Sequence, residues 1–123
     1  MLADNDDLML KLLFTLLSPH YEVVARVNHG EDALAVVDSL KPNALVTDIV
    51  MPGLNGIEIA QRLRQWESPT QVVLLAYVGN GDAVKEALAA GVRGFVLKKQ
   101  IFRDLPFAVS EVLAGRTFVS KNE

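Results

Sequence analysis

A carboxylate that attacks a phosphoryl group builds negative charge, which cations must offset. A lysine and a Mg²⁺ ion held by a second carboxylate supply that charge. Asp4, Asp48 and Lys98 are residues of these types, and each stands where an apolar run ends. Asp48 has the clearest setting. Ala44-Leu45-Val46-Thr47 reads as a buried strand, and Met51-Pro52-Gly53 breaks the backbone before a helical pattern opens at Gly56. Capping a turn is the plainer role for Asp48, but Pro52 and Gly53 already supply the turn chemistry. In open α/β sheets ligands bind beyond the carboxyl ends of the strands, so an acid there is a functional candidate.

The elements that must position these residues alternate along the chain. Met1-Leu2-Ala3 is a very short first strand, which suggests that residues upstream of Met1 belong to it. Leu8 to Leu17 is apolar apart from Lys11 and Thr15, which predicts a largely buried helix with Asp6 as its cap. Tyr21 to Val27 predicts the second strand, and Glu31 to Leu40 a helix burying Ala33, Val36, Val37 and Leu40. After the Asp48 loop, Ile59, Ala60, Leu63 and Trp66 fall at helical spacing, with Trp66 read as a core or edge anchor. Gln71 to Ala76 is a continuous apolar strand, and Gly79-Asn80-Gly81-Asp82 opens a helix striped by Val84, Ala87, Leu88 and Gly91. Gly94 to Leu97 is the fifth strand. The last helix turns Leu105, Val109, Val112 and Leu113 inward and ends at Gly115. Pro106 is tolerated in a first turn, which puts the start of that helix near Arg103 or Asp104.

Five strands alternating with five helices predict an α/β fold with a doubly wound parallel sheet and right-handed crossovers, and the order taken for it is the flavodoxin-like (βα)5 one, 2-1-3-4-5. Leu45, Val46, Val72, Val73, Leu74, Val96 and Leu97 should be buried in it, and Asp4, Asp48, Ala76 and Lys98 should converge from four strand ends. At 123 residues with 50% hydrophobic content, the chain reads as one domain with its own core. A formal net charge of −3 without a long run of either sign argues against this segment gripping nucleic acid or an anionic membrane. No cysteine is present, so disulfides and thiolate metal sites are excluded; no apolar run is long enough to span a bilayer, and the expected setting is cytoplasmic. His20 and His29 sit in loops without ligand-spaced partners and are assigned neither metal nor catalysis.

From Leu2 to about Ser120 the chain resembles a response-regulator receiver domain. The matching residues are Leu2-Ala3-Asp4, Asp48 with Met51-Pro52-Gly53 and Gly56, Ala90-Gly91-Val92-Arg93-Gly94-Phe95, and Leu97-Lys98. The ending Val112-Leu113-Ala114-Gly115-Arg116-Thr117-Phe118-Val119-Ser120 resembles the NarL/FixJ group, whose members continue into a helix-turn-helix DNA-binding domain. This chain ends before such a domain. The resemblance implies a two-component signalling domain rather than an enzyme. Asp48 would accept a phosphoryl group from a histidine kinase, Asp4 would belong to an acidic pair, and Lys98 would pair with the modified aspartate. It further implies Mg²⁺ on Asp4, Asp48 and the Val50 carbonyl, homodimerisation on activation, and Phe95 at the aromatic switch position. The alternative for Phe95 is an ordinary core residue of an edge strand.

Two positions depart from the family. Asn5 stands where the second acid of the pair contacts the metal, and an amide brings no negative charge to a hard cation, so Mg²⁺ binding should be weak. Asp6 could compensate, although capping the first helix is its simpler role. Ala76 replaces a threonine or serine whose hydroxyl binds the phosphoryl oxygen, and the Tyr77 phenol beside it should point elsewhere. Two functions therefore compete: a phosphorylated receiver controlling transcription, and a phosphorylation-independent interaction module. A phosphatase Asp-x-Asp motif fails at Val50, and no glycine-rich phosphate loop follows the first strand.

Overall fold

Continuous apolar runs such as Val72-Val73-Leu74-Leu75 bury both faces only at the centre of a sheet with helices on either side. That is their place in this computed structural model, which describes residues 1–121. The strands are β1 (Leu2–Ala3), β2 (Arg26–Val27), β3 (Ala44–Asp48), β4 (Gln71–Ala76), β5 (Gly94–Leu97) and β6 (Phe118–Val119). All pair in parallel in the order β2-β1-β3-β4-β5-β6. The helices are α1 (Asp7–Leu17), α2 (Gly30–Leu40), α3 (Gly56–Gln65), α4 (Gly81–Ala89) and α5 (Ile101–Leu113).

Alternation along the strands divides the core into two layers. Leu45, Val72, Leu74, Phe95 and Leu97 face one side with Ala33, Val37, Ile59, Leu63 and Ala87 of α2, α3 and α4. Val46, Val73, Leu75 and Val96 face the other with Leu13 of α1 and Leu105, Val109 and Val112 of α5. All seven residues expected in the core are buried, none more than 3% exposed.

The doubly wound sheet is the expected one, extended by β6, which pairs Phe118 and Val119 with Gly94 and Phe95. Phe95 is thus not on an edge strand. The polar-looking tail hid this strand because only two of its residues join the ladder, and the last two residues of that tail, Asn122 and Glu123, lie outside those described. The second strand also shrinks from Tyr21–Val27 to Arg26–Val27, since β1 offers only Leu2 and Ala3 as partners.

Several faces are wetter than their composition suggests. In α1 only Leu10, Leu13 and Leu17 are buried, whereas Leu8 is 74% exposed and the Phe14 ring lies beneath the Arg26 guanidinium at 4.8 Å. A helix on a sheet buries one stripe whatever its remaining sides carry. For the same reason α2 buries Leu34 instead of Leu40, α4 buries Ala87 alone of its expected stripe, and Leu113 points outward from α5. Trp66 caps the end of α3 and is half exposed, which leaves the edge and not the core of the two places read for it. The last helix begins at Ile101, ahead of Arg103, because a 3-10 turn over Lys98–Gln100 leads straight into it. Pro106 lies inside α5 and cannot donate to the Phe102 carbonyl, one turn earlier on the exposed side of the helix.

A buried polar cluster fastens β6. The Ser120 hydroxyl donates to Asp104 Oδ2 at 2.7 Å and accepts from the Leu97 N–H at 3.1 Å, while the Ser120 N–H donates to the Phe95 carbonyl at 2.8 Å. Burial alone would raise the Asp104 carboxyl, but its bonds from Arg103 and Ser120 and the Arg103 charge outweigh this and hold it below the ordinary value. A depressed carboxylate stabilises the fold above its unfolded value and loses that stabilisation as pH falls through its folded value.

Two predictions follow from the packing. Leu74→Ala, at a fully buried site, should destabilise by about 2–5 kcal/mol in urea unfolding, against about 0.5 kcal/mol or less for Leu8→Ala. Asp104→Asn should lower stability at neutral pH, and its deficit should shrink as pH falls below about 4, through the range where Asp104 titrates. Unfolding curves at stepped pH read this directly; a deficit independent of pH would contradict it.

Candidate functional site

Three strand ends deliver the three charged residues to one place. Asp4 follows β1, Asp48 ends β3, and Lys98 opens the 3-10 turn after β5. The Lys98 Nζ lies 3.0 Å from Asp48 Oδ2 and 3.5 Å from Asp4 Oδ2, and all three side chains are at most 5% exposed. The triad read from strand ends is therefore a real cluster.

Backbone contacts fix the two acids. Asp4 Oδ1 accepts the Asp6 N–H at 2.9 Å, and Asp48 Oδ1 accepts the Val50 N–H at 3.3 Å. Asp6 in turn caps α1 by accepting the Leu8 N–H, the simpler of the two roles considered for it. The β3–α3 loop is braced from both sides. A Cβ on Gly56 would meet the Asp48 carbonyl oxygen at 2.6 Å, and one on Gly30 would meet the Leu54 carbonyl oxygen at 2.0 Å, so only glycine lets α3 and α2 approach the loop this closely. Asn55 and Glu58 close a capping box at the start of α3, and the His29 ring caps α2 by accepting the Glu31 N–H.

The electrostatics are those of one ammonium shared by two carboxylates. Burial would lower Lys98, but its hydrogen bond to Asp48 and the charges of Asp4 and Asp48 more than compensate, and its value is raised. Asp4 is raised chiefly by burial and further by the Asp48 charge, which the Asp6 N–H and Lys98 only partly offset. At 3.5 Å the Asp4–Lys98 approach is a charge contact beyond good hydrogen-bond geometry, and Asp4 Oδ2 is buried without a hydrogen-bond partner.

That orphaned oxygen suits a hard cation, and the donors around it are oxygens. Asp4 and Asp48 are the acids of the set, since no group of three or more His, Cys, Asp or Glu side chains converges among the described residues. Asn5 is exposed, and Val50, whose carbonyl is the expected backbone ligand, has an outward-facing side chain. Ala76 is buried at the end of β4 opposite Leu97 and brings no donor. Phe95 is fully buried on the same side of the sheet, close under Gly79 of the β4–α4 loop. The Tyr77 ring is the component that sequence reading misplaced: its centroid lies 4.4 Å from Lys98 Nζ, at the site instead of away from it. Its position beside Ala76 at a strand end was the available signal.

Residues 1–110 match the family model described as the response regulator receiver domain. The chain belongs to that family. It is 30% identical over 105 residues to the nitrate/nitrite response regulator NarL of Escherichia coli K12, covering 85% of this chain and 49% of NarL. It thus spans about half the length of that relative. Among solved structures it is similar to the receiver domain of the response regulator NarL from Mycobacterium tuberculosis, with a TM-score of 0.89, 29% identity and 94% of each chain covered. It shares its fold with a chain in a CheX-CheY complex from Borrelia burgdorferi that contains BeF3⁻ and Mg²⁺, with a TM-score of 0.74, 22% identity, and 79% of this chain and 75% of that one covered. The family and its NarL-like character therefore stand as read from the sequence. No helix among the described residues is long and apolar enough to cross a membrane.

Ionised Asp4 carries a burial cost that the Asp6 N–H and Lys98 only partly offset, which sets a sign. A carboxyl with a raised folded value favours the fold below its unfolded value and disfavours it once pH rises through the folded value. Asp4→Asn should therefore be more stable than the parent at neutral pH, and the gain should vanish near pH 3. Thermal unfolding at the two pH values checks it, and a loss of stability at both would contradict it.

Proposed function

We propose that this chain accepts a phosphoryl group on Asp48 from a histidine kinase and relays the change to an output that controls transcription. The observation that carries this reading is the Lys98 ammonium 3.0 Å from Asp48 Oδ2 at the carboxyl edge of a parallel sheet. Asp48 is the nucleophile: one of its oxygens bonds to phosphorus as the donor departs. Lys98 stays beside that oxygen and offsets the charge of the transferred group. Asp4 Oδ2, Asp48 and the Val50 carbonyl would hold Mg²⁺, with the Asn5 amide as a neutral fourth donor. When bound, Mg²⁺ neutralises the phosphoryl oxygens. Asp48 is itself the group that becomes modified, so the chain is read as a phosphoryl acceptor and not an enzyme. DNA would be reached through a separate domain, and a homodimer would form on phosphorylation.

Acceptance and switching separate in this chain. The parts that accept the group are in place, whereas Ala76 removes a hydrogen bond that only the phosphorylated state would make. A hydrogen bond to a charged group is worth about 1.5–3 kcal/mol, and each 1.4 kcal/mol is about tenfold in the ratio of active to inactive states. Asn5 and Ala76 together favour the second reading, an interaction module that signals without phosphorylation.

A small-molecule phosphoryl donor with Mg²⁺ should add one phosphoryl group to the parent by intact mass and none to Asp48→Asn. No gain in the parent would support the interaction module. Asn5→Asp should tighten Mg²⁺ binding in a titration; equal affinity would show that the missing carboxylate is immaterial or replaced by Asp6. A phosphate mimic should shift the backbone NMR signals of Phe95 and residues 76–81 little in the parent and more in Ala76→Thr. A large shift across α4 and β5 in the parent would defeat the claim.

A further inference from the structure

Tyr77 is 73% exposed, yet its ring faces an ammonium whose side chain is 5% exposed. The ring is therefore the solvent-side wall over a buried cation. A lysine ammonium has three donors. Asp48 takes one at 3.0 Å, Asp4 lies near a second at 3.5 Å, and the Tyr77 ring covers the approach from outside at 4.4 Å. A phosphoryl group arriving on Asp48 brings further anionic oxygens that need this same ammonium. The ring and the incoming oxygens compete for one face of Lys98.

We propose that Tyr77 is a gate over the Asp4–Asp48–Lys98 site, closed by its contact with Lys98, which slows both the arrival of small phosphoryl donors and the attack of water on the modified Asp48. The inference deepens the phosphoacceptor reading and rests on it. In the forward step an Asp48 oxygen bonds to phosphorus, the bond between phosphorus and the donor breaks, and the donor leaves with that electron pair. In the reverse, a water oxygen bonds to phosphorus and the bond from phosphorus to the Asp48 oxygen breaks. Asp48 returns as carboxylate with its electron pair, and the water's protons pass to inorganic phosphate and solvent. Both steps need the space that the ring covers. A contact between a cation and an aromatic face is worth roughly 2- to 30-fold in an equilibrium, which sets the size of the effect.

Two measurements test this on Tyr77→Phe, which keeps the ring, and Tyr77→Ala, which removes it from an exposed position. First, the proton signals of the Lys98 methylene next to the ammonium should be shifted upfield by the ring face in the parent and in Tyr77→Phe, and not in Tyr77→Ala. Second, with acetyl phosphate and Mg²⁺, Tyr77→Ala should gain the phosphoryl group and lose it again about 2- to 30-fold faster than the parent, with Tyr77→Phe close to the parent. Absence of the upfield shift in the parent would overturn the gate, as would a Tyr77→Phe protein that behaves like Tyr77→Ala. Equal rates in parent and Tyr77→Ala would overturn the gate and leave the acceptor reading standing. No modification of any variant would overturn both.

Discussion

One buried ammonium shared between two buried carboxylates is the constraint around which the rest of the structure is arranged. Charge removed from water is tolerated when it is paired and hydrogen-bonded, and here two negative charges have one positive partner. Asp48 has the closer share of Lys98, and Asp4 is left with one buried oxygen that makes no hydrogen bond. The imbalance costs stability and leaves an unmet demand for cationic charge at the mouth of the sheet. A bound cation would relieve that demand at Asp4 Oδ2.

The sheet makes this arrangement possible because its strands all run the same way, so the ends of β1, β3 and β5 meet at one edge. The glycine contacts at Gly30 and Gly56 hold the Asp48 loop from outside. The Ser120–Asp104 cluster holds the other flank through the Leu97 N–H, the residue before Lys98. Lys98 thus follows a residue tied to Ser120, whose own N–H is bonded to the Phe95 carbonyl two residues earlier in β5.

Much of this was legible in the sequence. Apolar runs at residues 44–47, 71–76 and 94–97 are long enough to require burial on both faces, and they led to the parallel sheet and to the strand-end positions of Asp48 and Lys98. What was not legible depended on tertiary neighbours. Leu40 and Leu113 are apolar but sit on the wet sides of their helices, because the sheet chooses one stripe and hydrophobicity alone does not say which. Phe118 and Val119 form a strand only because β5 presents an open edge to them. Tyr77 could be placed at the site by its strand-end position, but the direction of its ring follows from the Lys98 cation, whose own position is set by two acids remote in the chain.

The central claim is that Asp48, among all the carboxylates, is the residue that becomes an acyl phosphate. Borohydride reduction of the donor-treated chain converts a phosphorylated aspartate to homoserine, and peptide mass mapping then locates it. The account predicts homoserine at position 48 and nowhere else, with the yield falling when Lys98 is replaced by methionine. Homoserine at Asp4, Asp6 or Asp7 with Asp48 intact would contradict it.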